Sequence, residues 1–180
     1  MNINSKIKKN VAELHAYNPD ISAAKYKMDA NESPYDLPAS VKKSILKKMQ
    51  KINFNRYPDS GAMALKKAVA KKNRVKPENI FFGNGSDEII NYLLQTFCAP
   101  GDAIVMPKPT FEMYRISAVI NSNKVIEVPL DDRFDLDDRQ IIRSCRKNRA
   151  KIVFLATPNN PTGNCFSVDR IMNIIKNIII

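Results

Sequence analysis

Apolar side chains recur at helical spacing after the first 37 residues of the chain. In residues 39–52 they fall on one face of a predicted helix, and Pro38 is suitably placed for its first turn. Residues 62–73 show the same spacing and predict a second helix. Residues 1–37 show no such period, since prolines interrupt them, and this segment is interpreted as an irregular arm.

Beyond residue 76, short apolar segments alternate with amphipathic ones. A strand is expected at residues 80–82, followed by a glycine turn and a helix at 87–97. The alternation continues as strands at 103–106, 125–129 and 152–156 and as helices at 111–120, 136–146 and 168–175. Such alternation is typical of βαβ units and predicts an α/β fold with a mostly parallel sheet flanked by helices. The apolar run 174–180 is interpreted as a strand just begun, so the sheet is expected to be incomplete in this chain.

The composition is that of a globular protein with an excess of positive charge. The 180 residues are 44% hydrophobic and 26% charged, and their formal net charge is +11 at pH 7. Such a charge keeps a basic nucleic-acid-binding module as an alternative. The lysines, however, stand in pairs on predicted helix faces without interleaved aromatic rings, which favours solvated faces and no nucleic-acid partner.

Cysteine spacing and hydropathy restrict the setting of the protein. Cys98, Cys145 and Cys165 lie far apart without a CxxC pair, so neither a metal site nor a disulfide framework is indicated and a cytoplasmic location is expected. No segment approaches the ~18 apolar residues of a membrane helix, so no membrane partner is expected. The single histidine, His15, has no catalytic partner near it in the sequence, which argues against a Ser-His-Asp hydrolase.

The loop GNGSD at residues 83–87 is the first candidate for chemistry. Its glycines permit positive φ, Ser86 can cap the next helix, and the N–H groups of the first turn offer a phosphate site. An ordinary glycine turn with a capping serine has the same pattern. Asp87 and Glu88 also satisfy the helix dipole without a ligand, and their charge would oppose a phosphate placed close by.

Two further loops follow predicted strands, where open α/β sheets bind their ligands. PKPTF at 107–111 delivers the ring of Phe111, which can stack on a flat ligand or serve as the first core residue of its helix. PNNPTG at 158–163 holds Asn160 before a proline, so its amide can be aimed at a ligand, although a proline-rich turn is the other interpretation. Together the three loops would suit a flat phosphorylated ring.

Five motifs, in this order, resemble those of the fold-type I pyridoxal-phosphate (PLP) aminotransferases, among which the histidinol-phosphate aminotransferases are most similar. The similarity runs from about Tyr17 to Gly163. The motifs are ANESPY at 30–35, RYPD at 56–59, GNGSDE at 83–88, PTF at 109–111 with Met113 and Tyr114, and NNPTG at 159–163. The resemblance implies the PLP-transferase fold of type I. Residues 1–52 would form an arm and first helix that contribute to a small domain and dimer contacts, and residues 53–180 the first part of the PLP-binding large domain.

The resemblance also implies which residues hold the cofactor. It places the cofactor phosphate on the backbone and side chains of Gly85, Ser86 and Asp87. It places the pyridine ring against Phe111 and the phenolic oxygen of that ring beside Asn160.

Three residues of the first third of the chain receive roles from the same resemblance. Tyr57 would reach the phosphate of the cofactor in the neighbouring subunit, and Tyr17 and Asn31 would line the substrate pocket. From the sequence alone, Tyr17 is equally a surface residue of the arm and Asn31 a turn residue.

The implied activity is PLP-dependent amino transfer between histidinol phosphate and 2-oxoglutarate in histidine biosynthesis, by a homodimer. Another fold-type I PLP enzyme, a threonine-phosphate decarboxylase or an aromatic aminotransferase, is the alternative. The family places the lysine that binds the cofactor covalently, and the aspartate that pairs with its pyridine nitrogen, beyond the matched motifs. Neither motif is present, so no catalytic residue is named and the chain is expected to be an N-terminal fragment that is inactive alone.

Overall fold

The computed structural model describes residues 3–14, 26 and 31–178 of the chain. The chain divides into two compact units. One is formed by Met1–Leu14 together with Phe82–Ile180, and the other by His15–Phe81. The division of the sequence at residue 52 into an arm and a large domain stays a prediction.

The described residues form seven α-helices, two 3-10 helices and three β-strands. The helices are α1 (Lys9–Ala12), α2 (Ala39–Met49), α3 (Met63–Asn73), α4 (Gly85–Phe97), α5 (Met113–Ile120), α6 (Asp138–Asn148) and α7 (Val168–Ile178). The strands are β1 (Ala103–Lys108), β2 (Lys124–Pro129) and β3 (Ile152–Val153), and the 3-10 helices are Ile3–Lys6 and Pro77–Asn79.

The three strands form a parallel sheet with β1 in the centre. The order is β2-β1-β3, and Ile104 pairs with Val125 on one side and with Ile152 on the other. Residues 103–107 of β1 are all buried, as expected of a parallel strand that is covered on both faces. The mostly parallel α/β fold that the alternation predicts is therefore confirmed.

Side chains that alternate along β1 enter two separate cores. Val105 lies in a core formed with α6 and α7, whereas Ile104 and Met106 lie in a core formed with α4 and α5. The first core also contains Val128, Leu136, Ile141, Cys145, Phe166 and Ile174. The second also contains Ile90, Leu94, Ala118 and Phe154. Helices therefore cover both faces of the sheet.

Residues 3–14 belong to the unit that contains the sheet. Nδ2 of Asn10 in α1 donates to the backbone carbonyl of Val119 at 2.5 Å, and Nζ of Lys8 donates to that of Ile120 at 3.4 Å. These bonds join the short α1 to the end of α5. The expectation that residues 1–37 are irregular is wrong for 3–6 and 9–12, because contacts with a distant helix order a segment that has no periodicity of its own.

The unit His15–Phe81 contains α2 and α3 close to the predicted positions. The helix predicted for residues 39–52 ends at Met49, and the one predicted for 62–73 begins at Met63. Among the described residues of this unit only Ala70 is buried. The apolar face that predicts α2 is exposed to solvent in this chain.

Three segments differ from the prediction because their conformation depends on tertiary contacts. Residues 80–82 are no strand, since the described sheet contains β1, β2 and β3 alone. β3 covers two residues of the predicted 152–156, because its pairing with β1 ends at Val153. The run 174–178 is helical rather than extended, since Ile171, Ile174 and Ile178 lie on the face of α7 that packs against one core.

Candidate functional site

Helix α4 brings the GNGSD loop to the carboxyl edge of the sheet. A short connection, residues 98–102, joins the C-terminus of α4 to the start of β1. The helix and the strand are each about 20 Å long, and Ile90 and Leu94 share a core with β1. The N-terminus of α4 therefore lies near the end of β1. The loops after β1 and β3 leave the sheet at this same edge, because the strands are parallel.

Glycine is required at two positions of this loop for different reasons. A Cβ at Gly83 would lie 2.8 Å from Cδ1 of Ile89 and 2.9 Å from Oε2 of Glu88. Gly85 has a φ of +80°, and a Cβ there would meet nothing within 4 Å. Gly83 thus permits close packing, whereas Gly85 leaves open space beside the first turn of α4.

The prediction that Ser86 caps α4 is wrong. The helix already begins at Gly85, and its N-cap residue, Asn84, makes no side-chain capping bond. Oε2 of Glu88 accepts the backbone N–H of Asn84 at 2.5 Å, and Oε1 accepts the hydroxyl of Tyr92 at 2.9 Å. The first-turn N–H groups after Asn84 thus have no capping side chain, and this end of the helix dipole can accept an anion.

One carboxylate oxygen of Asp87 has no hydrogen-bond donor among the described residues. Its Oδ1 is buried and has no hydrogen-bond partner within the described part of the chain. Such an atom costs about 1–3 kcal/mol if it stays unpaired, so the position favours a ligand or water that supplies a donor. Glu88, whose charge was expected to oppose a phosphate, already accepts two hydrogen bonds.

Asn159 joins the loop after β3 to the loop after β1. Oγ1 of Thr110 donates to Oδ1 of Asn159 at 2.7 Å. Nδ2 of Asn159 donates to a backbone carbonyl of the β1 loop at 3.1 Å and to Oγ1 of Thr162 at 2.8 Å. Asn159 is only 2% exposed. These bonds fix the positions from which the neighbouring candidates Phe111 and Asn160 extend.

The sequence predicts Asn160 as the contact to a ligand and does not single out its neighbour Asn159. The side chain of Asn160 is exposed and, among the described residues, makes no hydrogen bond, so its amide can bind a ligand. Nothing in the motif NNPTG distinguishes the buried amide from the exposed one. Only the position of Thr110, which the fold brings close, identifies Asn159.

Phe111 serves as a core residue, one of the two roles that the sequence left open, and its stacking on a ligand stays a prediction. Its partly buried ring packs against the core, and it meets the ring of Tyr114 edge to face at a centroid distance of 5.5 Å. Tyr114 in turn stacks on Phe154 at 4.4 Å with an interplanar angle of 9°. Burial raises the pKa of the Tyr114 phenol, so this ring stays neutral. The row of rings holds Phe111 where the loop after β1 meets α5.

The other predicted site residues belong to the first third of the chain. Tyr57 is fully exposed, and Asn31 is exposed with a left-handed φ of 52°, which asparagine tolerates. Both belong to the unit His15–Phe81. Tyr17 lies outside the described residues.

Two features are absent from the described residues. No cluster of three or more His, Cys, Asp or Glu side chains has the arrangement of a metal site. No helix has the length and apolar character that crossing a membrane requires. The three cysteines are unpaired, and burial raises the pKa of the Cys98 and Cys145 thiols, which favours their protonated form.

The sequence matches a family model and is similar to enzymes of other organisms. The model described as aminotransferase class I and II matches residues 23–179. The chain is 41% identical over 150 residues to the histidinol-phosphate aminotransferase of Thermococcus gammatolerans and 39% identical over 168 residues to that of Aquifex aeolicus. These alignments cover 83% and 93% of this chain but 43% and 48% of the relatives. The chain therefore spans less than half the length of both.

The fold is similar to a solved structure of the same enzyme class. The crystal structure of histidinol-phosphate aminotransferase from Sinorhizobium meliloti in complex with pyridoxal-5'-phosphate has a TM-score of 0.74 at 23% identity. The match covers 83% of this chain and 40% of that one. This likeness confirms the predicted fold type.

Proposed function

The chain belongs to the class I and II aminotransferases, and from this membership we propose that the whole protein catalyses a PLP-dependent amino transfer. The proposed donor is histidinol phosphate and the proposed 2-oxo acid acceptor is 2-oxoglutarate, in histidine biosynthesis, as the names of relatives at about 40% identity suggest. The observation that carries the proposal is the Asn159 network, which joins the loops of Phe111 and Asn160 at the edge where α4 begins.

The described residues fit the proposed cofactor. Its phosphate would lie on Gly85, Ser86 and Asp87 at the N-terminus of α4, where Gly85 leaves open space and the next two residues offer N–H groups without a capping side chain. Phe111 would lie against one face of the ring and limit the access of water, and the amide of Asn160 would donate to its phenolic oxygen. When bound, PLP supplies an electron-withdrawing ring that stabilises negative charge beside the transferred nitrogen.

A second subunit is part of the proposal. Tyr57 stands fully exposed on a loop, and we assign it to the phosphate of the cofactor in the neighbouring subunit of a homodimer. Tyr17 and Asn31 are proposed to line the substrate pocket, and residues 1–52 to contribute to the small domain and dimer contacts. The remaining residues, 53–180, are proposed as the first part of the large domain of a cytoplasmic enzyme.

Cofactor binding can be tested on the 180-residue chain without catalysis. Pyridoxamine phosphate is the suitable probe, because it has no aldehyde and does not react covalently with surface lysines. We expect saturable binding by fluorescence titration, much weaker binding of pyridoxamine, which lacks the phosphate, and a loss of affinity in Phe111→Leu. Phe134→Leu is the control, since Phe134 is exposed outside the candidate site. Equal binding of the two probes would contradict the phosphate site.

The substrate assignment requires the whole protein. With PLP present, we expect amino transfer from histidinol phosphate to 2-oxoglutarate, which is measured as the formation of glutamate. Aromatic amino acids should be poorer donors, and threonine phosphate should release no carbon dioxide. A preference for either of these compounds would replace the proposed substrate while leaving the cofactor site intact.

A further inference from the structure

A basic groove runs between α6 and α7, and none of the candidate cofactor-site residues lines it. It forms an open depression with a volume of about 530 Å³. Its polar lining consists of four cations of α6 and two asparagines of α7, namely Arg139, Arg143, Arg146, Lys147, Asn173 and Asn177. The function proposed above uses none of these residues.

Two of the four cations of α6, Arg139 and Arg143, are placed where the helix itself does not favour them. Arg139, Arg143 and Lys147 follow one another at intervals of four residues, so like charges repel across successive turns. Arg139 also lies in the first turn, where the helix dipole disfavours a positive charge. Only Arg146 and Lys147, in the last turn, are favoured by the dipole.

Among the described residues, none of the four cations of the groove forms an ion pair. Asp138, the acidic residue of α6, accepts a hydrogen bond from Nδ2 of Asn173 instead. Arg146 is held by the backbone carbonyl of Asn177 at 2.9 Å, which fixes one wall of the groove. The groove therefore combines an ordered wall with four cations that form no ion pair in the part of the chain that the structure describes.

We propose that this groove binds a small anion with two or more linked phosphate groups. Guanidinium groups bind phosphate oxygens in bidentate fashion, and side chains that leave α6 about 6 Å apart can converge on neighbouring phosphates. The volume of this open groove falls within the range of small-molecule sites. No aromatic residue lines it, so it offers no stacking surface for the bases of a nucleic acid.

Inorganic triphosphate is the probe for this site, titrated calorimetrically into the 180-residue chain at 0.15 M KCl. We expect one site, and a loss of affinity of about tenfold or more in the double variant R139Q/R143Q. The matched control is K67Q/K71Q, which removes two exposed cations four residues apart on α3 and changes the net charge equally. This control should bind triphosphate as the unchanged chain does.

Several results would overturn the proposal. Absence of binding, or an equal loss in both double variants, would reduce the groove to a solvated face. Tighter binding of a single-stranded oligonucleotide or a glutamate-rich peptide than of triphosphate would assign it to a macromolecule. Displacement of pyridoxamine phosphate by triphosphate would place the anion at the cofactor site instead.

The double variant is expected to fold, because glutamine is nearly as good a helix former as arginine. Without ligand it should melt at the same temperature as the unchanged chain or higher, since the substitutions relieve repulsion within α6. A melting temperature that falls would show that the two arginines stabilise the fold, and would contradict the inference that α6 does not favour them.

Discussion

The hydroxyl of Thr110 donates a hydrogen bond of 2.7 Å to Oδ1 of Asn159, which lies 49 residues later in the sequence. The bond joins two loops at the carboxyl edge of the sheet. Both residues are buried. The Asn159 amide also donates to Thr162 in its own loop, so one side chain connects three points of the two loops. Buried polar networks that are fully paired favour a single arrangement. The edge that carries Phe111 and Asn160 is thus ordered by hydrogen bonds in addition to apolar packing.

Asn159→Ala should lower the free energy of unfolding by about 2 kcal/mol, because it leaves the buried Thr110 hydroxyl and a loop carbonyl without their partner. Urea denaturation measures the change. The matched control is Asn160→Ala, whose exposed side chain should contribute less than about 0.5 kcal/mol. Both variants should weaken pyridoxamine phosphate binding, Asn160→Ala by loss of a contact and Asn159→Ala by loss of loop order. Equal stability of the two variants would contradict this division.

The elements that the sequence predicts correctly are those whose own residues carry the packing pattern. In α6, Ile141 and Cys145 are buried four residues apart, and Asp137 caps the helix by accepting the N–H of Gln140 at 2.9 Å. Residues 103–107 form a continuous buried apolar strand. These signals are local, so a helix or strand can be inferred before any partner is known.

The elements and site residues that the sequence misses depend on distant partners. The extent of β3 is decided by the length of its pairing with β1, and the conformation of residues 174–178 by the core that α7 faces. Asn159 is recognised only through Thr110. The motif resemblance points to the loop NNPTG as a whole, and which of its asparagines is buried is a property of the fold.

Gly85→Ala and Gly101→Ala form a matched pair that separates backbone strain from ligand binding. Both glycines have positive φ, +80° and +89°, and a Cβ at either would meet nothing within 4 Å. Each substitution should therefore lower stability by a similar amount, about 1–2 kcal/mol. Only Gly85→Ala places a methyl group beside the first turn of α4, so it alone should weaken pyridoxamine phosphate binding, by about tenfold. A similar loss of binding in Gly101→Ala would assign the effect to strain.

Asp131 should make stability dependent on pH in the acidic range. A hydrogen bond from Arg170 at 2.7 Å, with further bonds from backbone N–H groups, lowers the pKa of the Asp131 carboxyl from 3.8 to about 2. The folded-state pKa is depressed, so the stabilisation is present above about pH 4 and is lost as the pH falls through about 2. In Asp131→Asn, the deficit in melting temperature at pH 7 should therefore disappear between these values.

The control for Asp131 is its exposed neighbour Asp132, which forms no ion pair among the described residues. Asp132→Asn removes the same charge and should have a much smaller effect on melting temperature at pH 7. If the deficit of Asp131→Asn persisted unchanged at pH 2, the ion pair with Arg170 would not be its cause.

The Tyr114 ring should support both the core and the position of Phe111. It stacks on Phe154 at 4.4 Å and meets Phe111 edge to face at 5.5 Å. Tyr114→Leu removes both contacts and should lower the free energy of unfolding by about 1 kcal/mol or more, with weaker binding of pyridoxamine phosphate. Tyr114→Phe keeps the ring and should preserve both stability and binding, because the contacts belong to the ring rather than the hydroxyl. If Tyr114→Phe lost as much binding as Tyr114→Leu, the hydroxyl would have to contribute to the site.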